Sequence, residues 1–113
     1  PLLRGGDNPR IVNISSASAW HYDEISHLSI YAATKAAVER FSRDLRLELQ
    51  ADGIGVPCIR PGGAWTDFAA GWNKAAFEAA ISAWKNAGSH FDTGMEVGHV
   101  GESVRFALSQ PPG

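Results

Sequence analysis

The pattern of apolar and polar positions divides this chain into two short strands and three helices. Apolar and β-branched residues are concentrated in two runs, Arg10 to Ser15 and Ile54 to Ile59, as in strands buried on both faces. Helical spacing of apolar residues predicts helices over Ser29 to Ala51, Asn73 to Asn86 and His99 to Ser109. Strands that alternate with helices in this way indicate an α/β protein with parallel strands.

Two local features refine this prediction. Ser29 is expected to cap the first helix, and Gly53 to end it in a left-handed turn. Pro57 cannot donate a hydrogen bond to a sheet, so a bulge or irregular pairing is expected there. The expected buried stripe of the first helix is Ala33, Ala37, Val38, Phe41, Leu45 and Leu49. The charged residues expected on its other side are Glu39, Arg40, Arg43, Arg46 and Glu48.

Composition excludes several classes of function. The length of 113 residues allows one domain at most, and an apolar fraction of 44% is ordinary for a soluble chain. A net charge of −2 argues against nucleic acid and anionic membrane surfaces as partners. The sequence has no apolar run near the about 20 residues of a membrane-spanning helix and no signal-peptide pattern, so a cytoplasmic location is expected.

No metal site and no disulfide are predicted. His21 and His27 lack a carboxylate or cysteine partner at ligand spacing, so a substrate-loop or surface position is the better interpretation. Cys58 is the single cysteine, and its apolar neighbours indicate a buried thiol.

Tyr31 and Lys35 are the strongest candidates for chemistry. They are four residues apart in a predicted helix, so both project from one face, one turn apart. A phenol beside a fixed positive charge ionises more readily, which suits proton transfer to or from an alcohol oxygen. This spacing also occurs by chance in many helices. Ser16, however, follows the first strand at its carboxyl end, where ligands bind in open α/β sheets.

Three features together resemble the short-chain dehydrogenase/reductase family: the strand ending in Ser15-Ser16, the Tyr31-x-x-x-Lys35 helix, and a second strand followed by Pro61-Gly62 and Thr66. The resemblance implies a Rossmann-like doubly wound parallel sheet, here a partial domain of two strands and three to four helices. Residues 1–113 would be the C-terminal catalytic part of one domain, with the N-terminal dinucleotide-binding part and the last strand absent. The glycine-rich dinucleotide turn is not in this sequence, so the chain alone is expected to bind cofactor weakly or not at all unless the absent part is supplied.

The resemblance also implies an NAD(P)-dependent oxidoreductase that interconverts a carbonyl and a secondary alcohol by hydride transfer. Tyr31 would donate or accept the proton, Lys35 would assist Tyr31 and bind the nicotinamide ribose, and Ser16 would bind the substrate oxygen. The residues that would contact the cofactor are Tyr31, Lys35, Pro61, Gly62 and Thr66. NADP is slightly favoured over NAD, because the ending Phe106 to Pro112 resembles members that prefer it.

Each of these assignments has a plainer alternative. Tyr31 could simply pack at the start of a helix, and Lys35 could be an exposed helical lysine. Ser15 stands next to Ser16, so either could be the serine that binds the substrate oxygen. A capping role at the strand end is the alternative for Ser16. The Pro61-Gly62 segment could be an ordinary turn.

Residues 68–90 resemble the variable substrate-binding loop or lid of the family. The candidate substrate-binding residues are Ser18, Trp20, Trp65, Phe68 and Trp72. A lid over an apolar substrate and a small core or subunit contact explain these aromatic residues equally well.

The resemblance also implies a substrate and an oligomer, and it leaves two alternative functions open. A small-molecule carbonyl or alcohol is the implied substrate. The first helix commonly joins a four-helix subunit interface in the family, which implies a homo-oligomer, either a dimer or a tetramer. A lyase or dehalogenase without nicotinamide is one alternative, although comparable dehalogenases usually carry Arg in place of Lys35. A non-catalytic binding or interaction protein is the other.

Overall fold

A computed structural model describes residues 2–20, 26–88 and 94–112. In these residues, two strands, β1 (Asn13–Ile14) and β2 (Cys58–Ile59), and three helices, α1 (Ser29–Leu49), α2 (Lys74–Asn86) and α3 (Val97–Ser109), follow the order β1-α1-β2-α2-α3. Short 3-10 turns lie at Leu3–Gly5, Ala17–Ala19, Gln50–Asp52 and Asp67–Ala69. The prediction of an α/β fold with a partial Rossmann-like parallel sheet is confirmed.

The two strands run parallel and place their carboxyl ends side by side. Asn13 pairs with Cys58 and Ile14 with Ile59. Backbone hydrogen bonds extend the pairing in both directions, from Ile11 N to Gly55 O (2.9 Å) and from Ala17 N to Pro61 O (2.8 Å). The segment that follows β1 therefore stays in register with the segment that follows β2.

Pro57 interrupts this pairing, as the sequence predicts. Its carbonyl accepts a hydrogen bond from Asn13 N at 3.0 Å, but its ring nitrogen has no hydrogen to return to β1. The regular pairing is accordingly split into an isolated bridge between Arg10 and Gly55 and the ladder of β1 and β2.

The buried face of α1 differs from the predicted stripe. Ala33 and Ala37 are exposed, Phe41 is 59% exposed, and the buried residue is Ser42. The side chain of Glu39, expected on the outer side, is only 9% exposed. The helix docks through polar contacts: the Ser42 hydroxyl accepts from Asn13 Nδ2 at 2.8 Å and donates to Val38 O at 2.7 Å.

The ends of α1 correct one prediction and confirm another. The helix begins at Ser29 itself and is preceded by Leu28, whose carbonyl accepts from Ala32 N at 2.7 Å. Ser29 is therefore not the capping residue, and no capping side chain is found for α1 in the described residues. At the other end Gly53 has φ of 68°, the left-handed conformation expected of it, after the 3-10 turn Gln50–Asp52.

Few apolar residues in the described ranges are buried. The buried apolar residues in the described ranges are Ala19, Ile54, Val56 and Ala80. None of the helices in these ranges is long and apolar enough to cross a membrane.

The polar docking of α1 predicts that removal of the Ser42 hydroxyl alone lowers the stability of the protein. Ser42→Ala leaves the half-buried amide of Asn13 without this acceptor, so the free energy of unfolding should fall by about 1–3 kcal/mol. Ser103→Ala is the matched control, because its hydroxyl also bonds to the carbonyl four residues earlier but on an exposed surface. The control should change stability by less than about 0.5 kcal/mol. Urea unfolding measures both variants, and equal losses would contradict the proposed docking contact.

Candidate active site

The candidate site lies at the carboxyl ends of β1 and β2. Ser15 and Ser16 follow β1, and the 3-10 turn Ala17–Ala19 comes next. The bond from Ala17 N to Pro61 O ties this turn to the Pro61-Gly62 segment after β2. The two loops that carry candidate residues are thus held against each other by the backbone.

Tyr31 and Lys35 lie in the first two turns of α1 and face the same edge. The ammonium nitrogen of Lys35 is 5.7 Å from the centroid of the Tyr31 ring. It also donates a hydrogen bond to Ile14 O at 3.0 Å, at the end of β1. The structure therefore brings the phenol ring, the ammonium and the end of β1 together.

The serines after β1 have different partners. Ser15 is 2% exposed, and its hydroxyl lies within donating distance of Lys35 O (3.0 Å) and Glu39 Oε1 (2.9 Å). Ser16 is half-buried, and its oxygen accepts from Ser18 N at 3.2 Å and from Ser18 Oγ at 2.9 Å. Because the hydroxyl of Ser15 is directed into α1, Ser16 is the better candidate to meet a ligand.

Glu39 is a central residue of the site that the sequence analysis missed. Its carboxylate accepts from Arg60 Nε at 2.5 Å and Arg60 Nη2 at 2.7 Å, and also from Ser15 Oγ and Trp20 Nε1. The Arg60 guanidinium lies 5.0 Å from the Trp20 ring centroid. Glu39 thus links α1 to both loops. The sequence feature that could have identified Glu39 is its position four residues after Lys35, on the same face of the helix.

The environment of Glu39 favours its charged form. Hydrogen bonds from Arg60 lower the pKa of Glu39 from its ordinary 4.5 to about 2, against the opposing effect of burial. Hydrogen bonds from Trp20 and Ser15 and the charge of Arg60 act in the same direction as the first cause. The same contact with Glu39 raises the pKa of Arg60.

The aromatic candidates separate into two groups. The Phe68 ring lies 4.9 Å from the Tyr31 ring, and the Trp72 ring 5.3 Å from that of Phe68. Phe77 continues this chain of rings at 6.0 Å from Trp72. Trp20 instead contacts Glu39 and Arg60.

Trp65 packs against the segment that leads into α3. Its backbone nitrogen donates to Met95 O at 3.0 Å. A Cβ added at Gly94 would lie 3.0 Å from the Trp65 ring, so glycine is needed for this close approach. Of the predicted substrate residues, Phe68 and Trp72 are those in the chain of rings that starts at Tyr31.

The remaining candidates are placed as follows. Thr66 precedes and caps the 3-10 turn Asp67–Ala69, and its Oγ accepts from Phe68 N at 3.2 Å. A Cβ added at Gly62 would meet Met95 Cε at 3.8 Å, an ordinary contact. The proposed lid over 68–90 contains this turn and α2, and its last two residues lie outside the described ranges.

Metal ligation has no support in the described ranges. No group of three or more His, Cys, Asp or Glu side chains that could hold a metal ion occurs in them. His21 lies outside these ranges. The Nδ1 atom of His27 lies 2.8 Å from Ser26 Oγ.

Comparison with known proteins places the sequence among dehydrogenases. The pattern of the family described as "short chain dehydrogenase" matches residues 1–77. A short-chain type dehydrogenase/reductase of Picea abies is 42% identical over 71% of this chain and 29% of that protein. A sulfoacetaldehyde reductase of Chromohalobacter salexigens is 39% identical over 98% of this chain and 41% of that protein. Human 17-beta-hydroxysteroid dehydrogenase type 2 is 44% identical over 61% of this chain and 17% of that protein. This chain therefore spans less than half the length of these relatives.

The lowered pKa of Glu39 predicts how stability depends on acid. Because Glu39 binds a proton near pH 4.5 when unfolded but only near pH 2 when folded, its stabilisation is present above about pH 5 and is lost as pH falls toward 2. Glu39→Gln should flatten the decline of unfolding free energy between these values, as measured by urea unfolding at a series of pH values. Glu48→Gln, exposed on the same helix, is the control and should leave the slope unchanged. Equal slopes for wild type and Glu39→Gln would contradict the prediction.

Proposed function

This chain belongs to the short-chain dehydrogenase family, and from that premise we propose that the complete protein is an oxidoreductase. It interconverts a carbonyl group and a secondary alcohol by hydride transfer, with NAD or NADP as cofactor. The observation that supports this most directly is the position of the Lys35 ammonium between the Tyr31 ring and the end of β1.

Tyr31 exchanges the proton. In carbonyl reduction its phenol donates to the substrate oxygen, and in alcohol oxidation its phenolate accepts from it. The ammonium of Lys35, 5.7 Å from the centroid of the Tyr31 ring, is placed to attract the negative charge that develops during proton transfer. Ser16 donates a hydrogen bond to the same substrate oxygen and stabilises the charge that develops there.

The polar groups beside Tyr31 fit a nicotinamide riboside. Lys35 carries three N–H donors, of which one is directed to Ile14 O, so donors remain for ribose hydroxyls. The Thr66 oxygen accepts from Phe68 N and keeps its own proton for a cofactor amide or phosphate. The Pro61 carbonyl accepts from Ala17 N, which fixes the Pro61-Gly62 turn, and a carbonyl oxygen has a second lone pair with which this turn would contact the cofactor. When bound, the nicotinamide supplies or accepts the hydride. NADP is the first cofactor to test.

The rings of Phe68 and Trp72 favour a moderately apolar substrate. They form a partly exposed apolar surface beside Tyr31, in which Phe68 is 50% exposed. Transfer of an apolar group from water onto such a surface is favourable by about 25 cal/mol per Å² of buried area. An apolar ketone presents one polar oxygen for Tyr31 and Ser16 and an apolar body for these rings.

Loss of the Tyr31 hydroxyl should abolish most of the activity. Tyr31→Phe keeps the ring contact with Phe68, so the fold should be unchanged while kcat falls about 10²- to 10⁴-fold. The assay follows NADPH or NADH absorbance with apolar carbonyl compounds in the full-length protein. Undiminished turnover in Tyr31→Phe would refute the mechanism and favour a non-catalytic role for the site. Product formation without any nicotinamide would favour the lyase or dehalogenase alternative.

We also propose that the protein forms a homo-oligomer through the exposed side of α1. Ala33, Ala37 and Phe41 recur every four residues on this side, and two small residues permit close approach of another helix.

Introduction of a charge on this side should dissociate the oligomer. Phe41→Glu places a carboxylate within the proposed helix contact, where burial without a partner is unfavourable. Sedimentation velocity should show a lower mass for this variant. Arg43→Glu, exposed on α1 outside the side formed by Ala33, Ala37 and Phe41, is the control and should retain the assembly. An unchanged mass for Phe41→Glu would exclude this side of α1 as the interface.

A further inference from the structure

Ser16 and Ser18 form a pair in which the roles of donor and acceptor can be assigned. The backbone N–H of Ser18 donates to Ser16 Oγ at 3.2 Å, and the hydroxyl of Ser18 donates to the same oxygen at 2.9 Å. A serine oxygen has two lone pairs and one proton. Both lone pairs of Ser16 are therefore occupied from the Ser18 side, and its proton is left to point elsewhere.

The difference in burial of the two serines supports this assignment. Ser18 is 6% exposed, whereas Ser16 is half-buried at the edge where the strands end. If Ser16 donated to Ser18 instead, the proton of the buried Ser18 would lose its acceptor, and an unpaired buried donor is unfavourable. The proton of Ser16 has no such constraint, because it can be directed toward solvent or a ligand.

The backbone fixes the geometry of the pair. Ser16 is extended, with φ of −157° and ψ of 152°, and its side chain caps the 3-10 turn Ala17–Ala19 that contains Ser18. A backbone hydrogen bond from Ala17 N to Pro61 O holds this 3-10 turn against the loop after β2. The positions of the two hydroxyls are therefore determined by a backbone turn that is bonded to the loop after β2, in addition to their side-chain rotamers.

We propose that Ser18 is a positioning residue that orients Ser16 as a hydrogen-bond donor to the substrate oxygen. This inference rests on the proposed function, and it assigns Ser18 a role through Ser16 rather than the direct substrate contact expected from the sequence. A polarised pair also strengthens the outgoing bond, since a hydroxyl that accepts hydrogen bonds becomes a better donor.

Alanine variants of the two serines, alone and together, test the proposal in the full-length protein. Ser16→Ala should lower kcat about 10²- to 10³-fold, as for loss of one donor to a developing oxyanion. Ser18→Ala should lower kcat about 3- to 10-fold, corresponding to one net hydrogen bond. The double variant should be no slower than Ser16→Ala, because Ser18 acts through Ser16.

Two further measurements separate orientation from a merely structural role. Ser18→Thr restores the hydroxyl and should recover most of the lost kcat. Ser103→Ala removes an exposed serine hydroxyl of α3 that has no part in the site, and it should leave kcat unchanged.

Each outcome decides for or against the proposal. A wild-type kcat in Ser18→Ala, or a further drop in the double variant beyond Ser16→Ala, would overturn it. A Ser18→Thr variant that accommodates the added methyl group with wild-type stability but recovers none of the lost kcat would also overturn it. If Ser16→Ala and Tyr31→Phe both keep full activity, the proposed function itself fails, and this result differs from a failure confined to Ser18.

Discussion

The carboxylate of Glu39 connects the three segments on which the candidate site is built. It sits on α1 one turn after Lys35, and it accepts hydrogen bonds from Ser15 after β1 and from Arg60 after β2. Its charged form is maintained because the bidentate guanidinium lowers its pKa to about 2. Loss of this charge would weaken the attachment of both loops to α1, since each bonds to the same carboxylate.

Polar contacts, more than apolar ones, determine how α1 sits on the sheet. Asn13 Nδ2 bonds to Ser42, Ser15 bonds to Glu39, and Lys35 bonds to Ile14 O. Hydrogen bonds require specific distances and angles, whereas apolar contacts tolerate sliding. The helix is thereby held in one rotation, which directs Tyr31 and Lys35 toward the strand ends. Such precise placement of reacting groups is what proton transfer requires.

The short stretch from Ser15 to Trp20 shows how neighbouring polar residues can take different tasks. Ser15 anchors the strand end to α1, while Ser18 contacts the oxygen of Ser16. Trp20 donates its indole N–H to Glu39, and its ring packs against the guanidinium of Arg60. The aromatic surface available to a substrate comes instead from Phe68 and Trp72, which follow β2.

The sequence by itself determined the α/β class, the parallel strands, the irregularity at Pro57 and the common face of Tyr31 and Lys35. These features follow from local periods of 2 and 3.6 residues and from the chemistry of single residue types, so neighbours in sequence suffice to predict them. The buried face of α1 and the role of Glu39 were decided only by the tertiary structure. The partners of Glu39 lie 19 to 24 residues away in sequence and meet only when two strands and a helix assemble. A charged residue on a helix is usually solvated, and the pattern of the helix alone could not predict that Ser15, Trp20 and Arg60 would surround this one.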